Sequence, residues 1–186
     1  MINDIKQVEK RMQDLEEQRE QVLSLSRELI RNAGKAIVAM HAKDSAKAKK
    51  ILAEMESIRN KLVDVEKGLE YNSLQAHQEY VEAMILDGII TKGKILGMKE
   101  LGVDEKAYAL GLMDVVGELK REAIDSLLNN NPKVAERYYN FMVDIYDSTL
   151  HLRFANAVLP DFRRKQDSAR IQVENTASEI LRTKQR

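Results

Sequence analysis

From residue 2 to residue 42, apolar side chains recur every three or four positions without interruption. Ile5, Val8, Met12 and Leu15 keep the a/d spacing of a coiled coil. Val22, Leu25, Leu29, Ala33, Ala36, Ile37 and Met40 continue at helical spacing with a drift in phase. A stretch of this length has no place in a sheet, and later segments repeat the period. Its first part (Glu9, Lys10, Arg11, Asp14, Glu16, Glu17, Arg19, Glu20) reads as a solvated face or a projecting coiled-coil arm. Gly34 lies inside the pattern, costs about 1 kcal/mol relative to Ala, and predicts a close helix–helix approach or a bend.

The punctuation is sparse, with 8 Gly and 2 Pro in 186 residues. Asp44 or Ser45 can cap a second helix running to about Gly68. Asn72 and Ser73 mark a turn, with Ser73 capping an acidic helix over about 74–91. Residues 92–103 hold three glycines and read as a loop. Asp104 caps a fourth helix to about Asn129. Asn131 and Pro132 start a fifth, to about Ala155, and Pro160 starts a sixth. No segment alternates like a strand. The expected fold is all-α: one domain, 1–186, an antiparallel bundle of six to seven helices.

Composition excludes several chemistries. No cysteine is present, so disulfides, thiolate metal sites and a Cys nucleophile are absent; this fits a reducing cytoplasm. There is no P-loop, no Gly-x-Gly-x-x-Gly and no Ser-His-Asp order. No apolar run reaches the roughly 20 residues that span a membrane, and the N-terminus has no signal-peptide character. Net charge is zero, but residues 151–186 hold eight Lys/Arg against four acids. A nucleic-acid surface must therefore be local, and the expectation is one collected from several subunits.

Acids recur in apolar helical settings. Glu79 and Glu82 share a face of the third helix, among Val81, Met84, Ile85 and Leu86. Asp114 and Glu118 lie one turn apart on the fourth. Asp144 and Asp147 lie with His151 on a stripe of the fifth. Like charges in such settings repel and lose hydration, and a divalent ion relieves both. Oxygen-only donors suit Mg²⁺ or Mn²⁺, ions of phosphoryl-transfer and nuclease chemistry. Pairing with Lys120, Arg121 or Arg153 is the competing reading. Di-iron chemistry expects Glu-x-x-His twice, and none of His41, His77 or His151 stands three residues after a Glu. His41 and His77 read as polar packing or surface residues.

Five blocks carry a family resemblance. Leu25-Ser-Arg-Glu-Leu-Ile-Arg-Asn-Ala-Gly-Lys-Ala-Ile-Val-Ala-Met-His41 resembles the first-helix motif of translin and translin-associated factor X (TRAX). Gln78-Glu-Tyr-Val-Glu-Ala83 is similar to TRAX in particular. Tyr108 to Leu127, with Gly111, Asp114, Gly117-Glu118-Leu119 and Ser126, resembles the fourth-helix block. Ile145-Tyr-Asp147 resembles the fifth. Leu159 to Leu181, with Arg163-Arg164-Lys165, Asp167 and Val173-Glu174, resembles the last. The resemblance implies about seven helices assembling into a hollow octamer. It also implies that a TRAX-like chain is a metal-dependent endoribonuclease of the kind that removes a nicked passenger strand.

Carried over by position, Glu79, Glu82 and Asp147 are the implied catalytic and metal-binding residues. Glu118 completes the site, and Asp114 is a further ligand for Mg²⁺ or Mn²⁺. The short 92–103 loop departs from longer TRAX chains and resembles an archaeal, single-gene form, a cytoplasmic homo-oligomer. Translin's basic Arg-Phe-His stretch is replaced by Tyr71 to His77, so Arg163, Arg164, Lys165 and Arg170 are the candidates for RNA-backbone contact. Their bland alternative is pairing with Asp161, Asp167 and Glu174. The alternative function is a non-catalytic, translin-like scaffold that binds nucleic acid.

Overall fold

The computed structural model describes residues 2–184, and every regular element among them is helical. The helices are α1 (Ile2–His41), α2 (Ser45–Val65), α3 (Glu70–Lys92), α4 (Met98–Leu101), α5 (Glu105–Leu128), α6 (Pro132–Thr149) and α7 (Phe162–Lys184). The chain packs as two compact units, one ending at Tyr80 and the other beginning at Val81, within α3.

In the first unit α1 and α2 pair along the stripes expected from their periodicity. Val22, Leu29, Ala33, Ala36, Ile37 and Met40 of α1 are buried, as are Ile51, Leu52, Met55, Ile58 and Leu62 of α2. The turn between them is closed by Asp44, whose carboxylate accepts from the Lys47 amide. At the far end of α2 the Gln18 amide donates to the Val65 and Lys67 carbonyls at 2.7 and 3.1 Å. Residues 4–17, before that anchor, are exposed throughout. Ile5 is 63% exposed, Val8 52%, Met12 56% and Leu15 42%, so the a/d stripe of this arm covers nothing within its own unit.

In the second unit α5 packs on α6 and α7, and α6 on α7. Met113, Val116, Leu119, Ala123, Met142, Ile145, Phe162, Ala169 and Ile180 are buried there. Asp104 caps α5 through the Ala107 amide at 2.7 Å. The chain after α3 turns back at Gly93, which has φ +63. The Arg137 guanidinium donates to the Ile89 carbonyl at 2.9 Å. The Tyr108 hydroxyl donates to the Leu96 carbonyl at 3.0 Å. Gly88 makes this fold-back possible: a Cβ there would stand 2.9 Å from both the Lys94 carbonyl oxygen and Leu96 Cγ. Backbone cannot yield as a flexible side chain does. Gly88→Ala is expected to destabilise by about 1–3 kcal/mol, read as a lower denaturation midpoint.

Four local expectations are corrected. The third helix starts at Glu70, ahead of Ser73, which is fully buried and donates to the Glu70 carbonyl instead of capping. The 92–103 loop contains the four-residue helix α4. The fifth long pattern stops at Thr149 rather than about Ala155. The last helix begins at Phe162, two residues after Pro160. No helix among the described residues is long and apolar enough to cross a membrane.

Candidate functional site

The predicted acids occupy different environments. Glu82, on α3, is only 8% exposed. Glu79, three residues earlier and so on the same helical face, is half-buried. On α5, Asp114 and Glu118 are half-buried. On α6, Asp144 and Asp147 are exposed, and His151 lies in the turn beyond the helix, exposed as well. The expectation that this last pair sits in an apolar setting is therefore corrected. Ile145 and Met142 take the buried stripe of α6 and leave the aspartates to solvent.

Asp114 and Lys165 had separate predicted roles, and the structure joins them. The Lys165 ammonium contacts the Asp114 carboxylate at 2.5 Å, both side chains being about one-fifth exposed. Asp114 is thus neutralised from α7. Arg153 donates to Gln166 at 3.3 Å. Elsewhere on α7, Arg164 lies 3.7 Å from Asp161 and Arg170 2.9 Å from Glu174. Arg163 is exposed. These one-turn pairs are open to solvent and weak, so a phosphate can displace them.

Among the described residues, no three of His, Asp and Glu come together in a way that would hold a metal ion. The donor set still suits a hard cation, since it offers carboxylate oxygens and no sulfur. Mg²⁺ is commonly bound through one or two carboxylates, with substrate phosphates and water completing its shell, rather than in an all-protein cage. By residue type Glu79 and Glu82 offer two carboxylates for that mode, and no closed multi-ligand cage is present among the described residues.

Three acids carry structural weight that the sequence reading passed over. Glu122 is 1% exposed and accepts from the Tyr138 hydroxyl. Burial, helped by the Glu122 charge, pushes the Tyr138 phenol up. Glu122 lies one turn beyond Glu118, so extending the Asp114–Glu118 stripe would have found it. Asp87, half-buried on α3, is pushed up by burial against the pull of Lys92 and Thr91. Glu66 is bound by the His77 imidazole Nε2 at 2.8 and 3.0 Å, both side chains being nearly buried. Burial raises the Glu66 carboxyl, but the His77 and Ser73 hydrogen bonds and the His77 charge outweigh it and leave it below its ordinary value. This bears out His77 as polar packing. Its partner, eleven residues away across a turn, had no sequence signal.

Comparison with known proteins agrees with this fold. The model of the Translin family matches residues 4–177. An uncharacterized protein of Methanocaldococcus jannaschii is 35% identical over 176 residues, covering 88% of this chain and 75% of that protein. A translin-associated protein X homolog of Schizosaccharomyces pombe is 27% identical over 130 residues, 59% of this chain and 56% of that one. Among solved structures, AfC3PO superposes with a TM-score of 0.92 at 30% identity, covering 97% of each chain. A complex of AfC3PO with duplex RNA superposes at 0.91 and 29% identity, covering 97% of this chain and 96% of that one.

Proposed function

Because the chain belongs to the Translin family, we propose that it is an oligomeric RNA-binding protein that cleaves RNA, or the RNA strand of a duplex, in a Mg²⁺-dependent reaction. The observation that carries this reading is Glu82, a carboxylate 8% exposed on α3 with Glu79 on the same face. A bound Mg²⁺ or Mn²⁺ would supply Lewis acidity at the scissile phosphate and lower the pKa of an attacking water. Within that site Glu79 and Glu82 would hold the ion. Glu118 and Asp147, which do not gather with that pair into one ion-binding group among the described residues, are the further acids proposed to take part when RNA is bound. Asp114, paired with Lys165, would orient that lysine. Arg163, Arg164, Lys165 and Arg170 would steer the RNA backbone.

Duplex RNA as ligand is supported by the similarity to AfC3PO, which has been solved with duplex RNA. Self-association is supported by the exposed Ile5–Val8–Met12–Leu15 stripe, and a homo-octamer is the proposed form. The protein is proposed to work in the cytoplasm. Two measurements test the reading. Labelled RNA incubated with and without Mg²⁺ should be cut only with the ion. RNA affinity should fall steeply with salt, since phosphate contacts release counterions; a flat salt response rejects phosphate-dominated binding.

A second reading is favoured by the Asp114–Lys165 pair and by the exposure of Asp147. In it the protein is a non-catalytic scaffold that binds nucleic acid and whose acids are structural. It predicts RNA binding with no cleavage and no thermal stabilisation by Mg²⁺ or Mn²⁺.

A further inference from the structure

The C-terminal half of α1 carries a feature that its own packing does not explain. Gly34 lies within this helix and is exposed, and a Cβ built there would meet no atom within 4 Å. The close helix–helix approach expected from the sequence is therefore not made by this chain. At 100° per residue Arg27, Arg31, Gly34, Lys35 and Val38 fall on one arc, opposite the buried stripe of Leu29, Ala33, Ala36 and Met40. All five are exposed, and Val38 is 63% exposed. Arg27, Arg31 and Lys35 stand one turn apart in succession, a like-charge spacing that weakens a helix. A helical glycine weakens it too. Neither feature helps the helix itself.

The charge around the stripe names the ligand's chemistry. Residues 21–50, from this part of α1 through the turn into the start of α2, hold seven Lys/Arg and two acids, Glu28 and Asp44. In a chain of zero net charge this is a strongly cationic tip.

We propose that Arg27, Arg31 and Lys35 seat the sugar–phosphate backbone of duplex RNA, with Gly34 as the bare position among them that lets it approach the helix closely. This rests on the RNA-binding reading above but places contacts on α1 rather than α7. A side chain at position 34 would hold the strand off. The cations would contact phosphates and read no sequence, in keeping with recognition of A-form RNA by shape. The competing occupant is the acidic first half of α1 from a second copy, where residues 4–20 hold six acids and four bases.

The test uses the full chain in EDTA, fluorescence anisotropy of a labelled RNA duplex across a salt series, and sedimentation of each variant. Arg31→Ala/Lys35→Ala should bind about tenfold or more weakly, with the salt slope reduced by about two, one for each lost phosphate contact. Gly34→Ala should raise the melting temperature, because alanine is the better helix former, and weaken binding. Sedimentation should be unchanged in both. If the wild type binds and the double variant binds equally well with the same slope, the α1 seat is wrong while the RNA-binding reading stands. If the wild type does not bind, that reading falls and takes the seat with it. If affinity is lost together with assembly mass, the stripe is a contact between copies and the proposal is overturned. If Gly34→Ala leaves affinity unchanged, the close-approach geometry is overturned.

Discussion

Glu82→Gln is expected to lower Mg²⁺-dependent RNA cleavage by at least about 100-fold, since even outer-shell changes at metal sites cost 10–100-fold. Glutamine keeps the shape of glutamate and removes the charge that would hold the ion. Glu82 is almost buried, so a melting curve of the variant is needed to separate lost chemistry from lost stability. RNA affinity in EDTA should also be retained, because phosphate contacts rather than this carboxylate supply it. Glu79→Gln should repeat the loss, being on the same face of α3. Asp147→Asn should do so only if that exposed acid is brought to the RNA. The measurement is single-turnover cleavage of a labelled strand at saturating protein. Cleavage at the wild-type rate in Glu82→Gln would remove this residue from the chemistry. A wild type that binds RNA and never cuts it would leave the scaffold reading in possession.

Glu66→Ala is expected to destabilise the first unit by about 2–3 kcal/mol. The carboxylate is held by His77 at 2.8 Å, and both side chains are close to 90% buried. His77 Nδ1 is already buried without a hydrogen-bond partner, so removing Glu66 leaves the ring with none at Nε2 either. The pair also makes stability depend on acid. The folded-state pKa of Glu66 lies below its ordinary value of 4.5. The unfolded state therefore takes up the proton first, and the contribution is fully present above about pH 4.5. It is lost as pH falls through the folded value. Denaturant midpoints measured from pH 7 down to pH 3 should drop more steeply in the wild type than in Glu66→Gln. Parallel curves would show that the pair does not titrate with folding.

The helical architecture was legible because it rests on local causes. The period of Ile51, Leu52, Met55, Ile58 and Leu62 fixes which face of α2 is buried, and Asp44, Asp104 and Pro132 mark the starts of α2, α5 and α6. The misplaced boundaries arose where a local signal lost to packing. Ser73 looks like a cap, but its burial makes it an interior residue whose hydroxyl bonds back into the helix.

The candidate site was legible only in part. That Glu79 and Glu82 share a face follows from helical spacing alone, and the depth of Glu82 follows from its apolar neighbours. The surroundings of the other acids are long-range facts. Asp114 and Lys165 lie 51 residues apart in sequence, and only the packing of α7 on α5 makes them an ion pair. The burial of Glu122 against Tyr138 depends likewise on α6 meeting α5. Sequence by itself determined the helices, their buried stripes and the kind of chemistry their acids could support, because each is set within a few turns of chain. Tertiary structure decided which of those charges are neutralised, which face solvent and which glycine is left bare, because partners distant in sequence set the local dielectric and the space around a side chain.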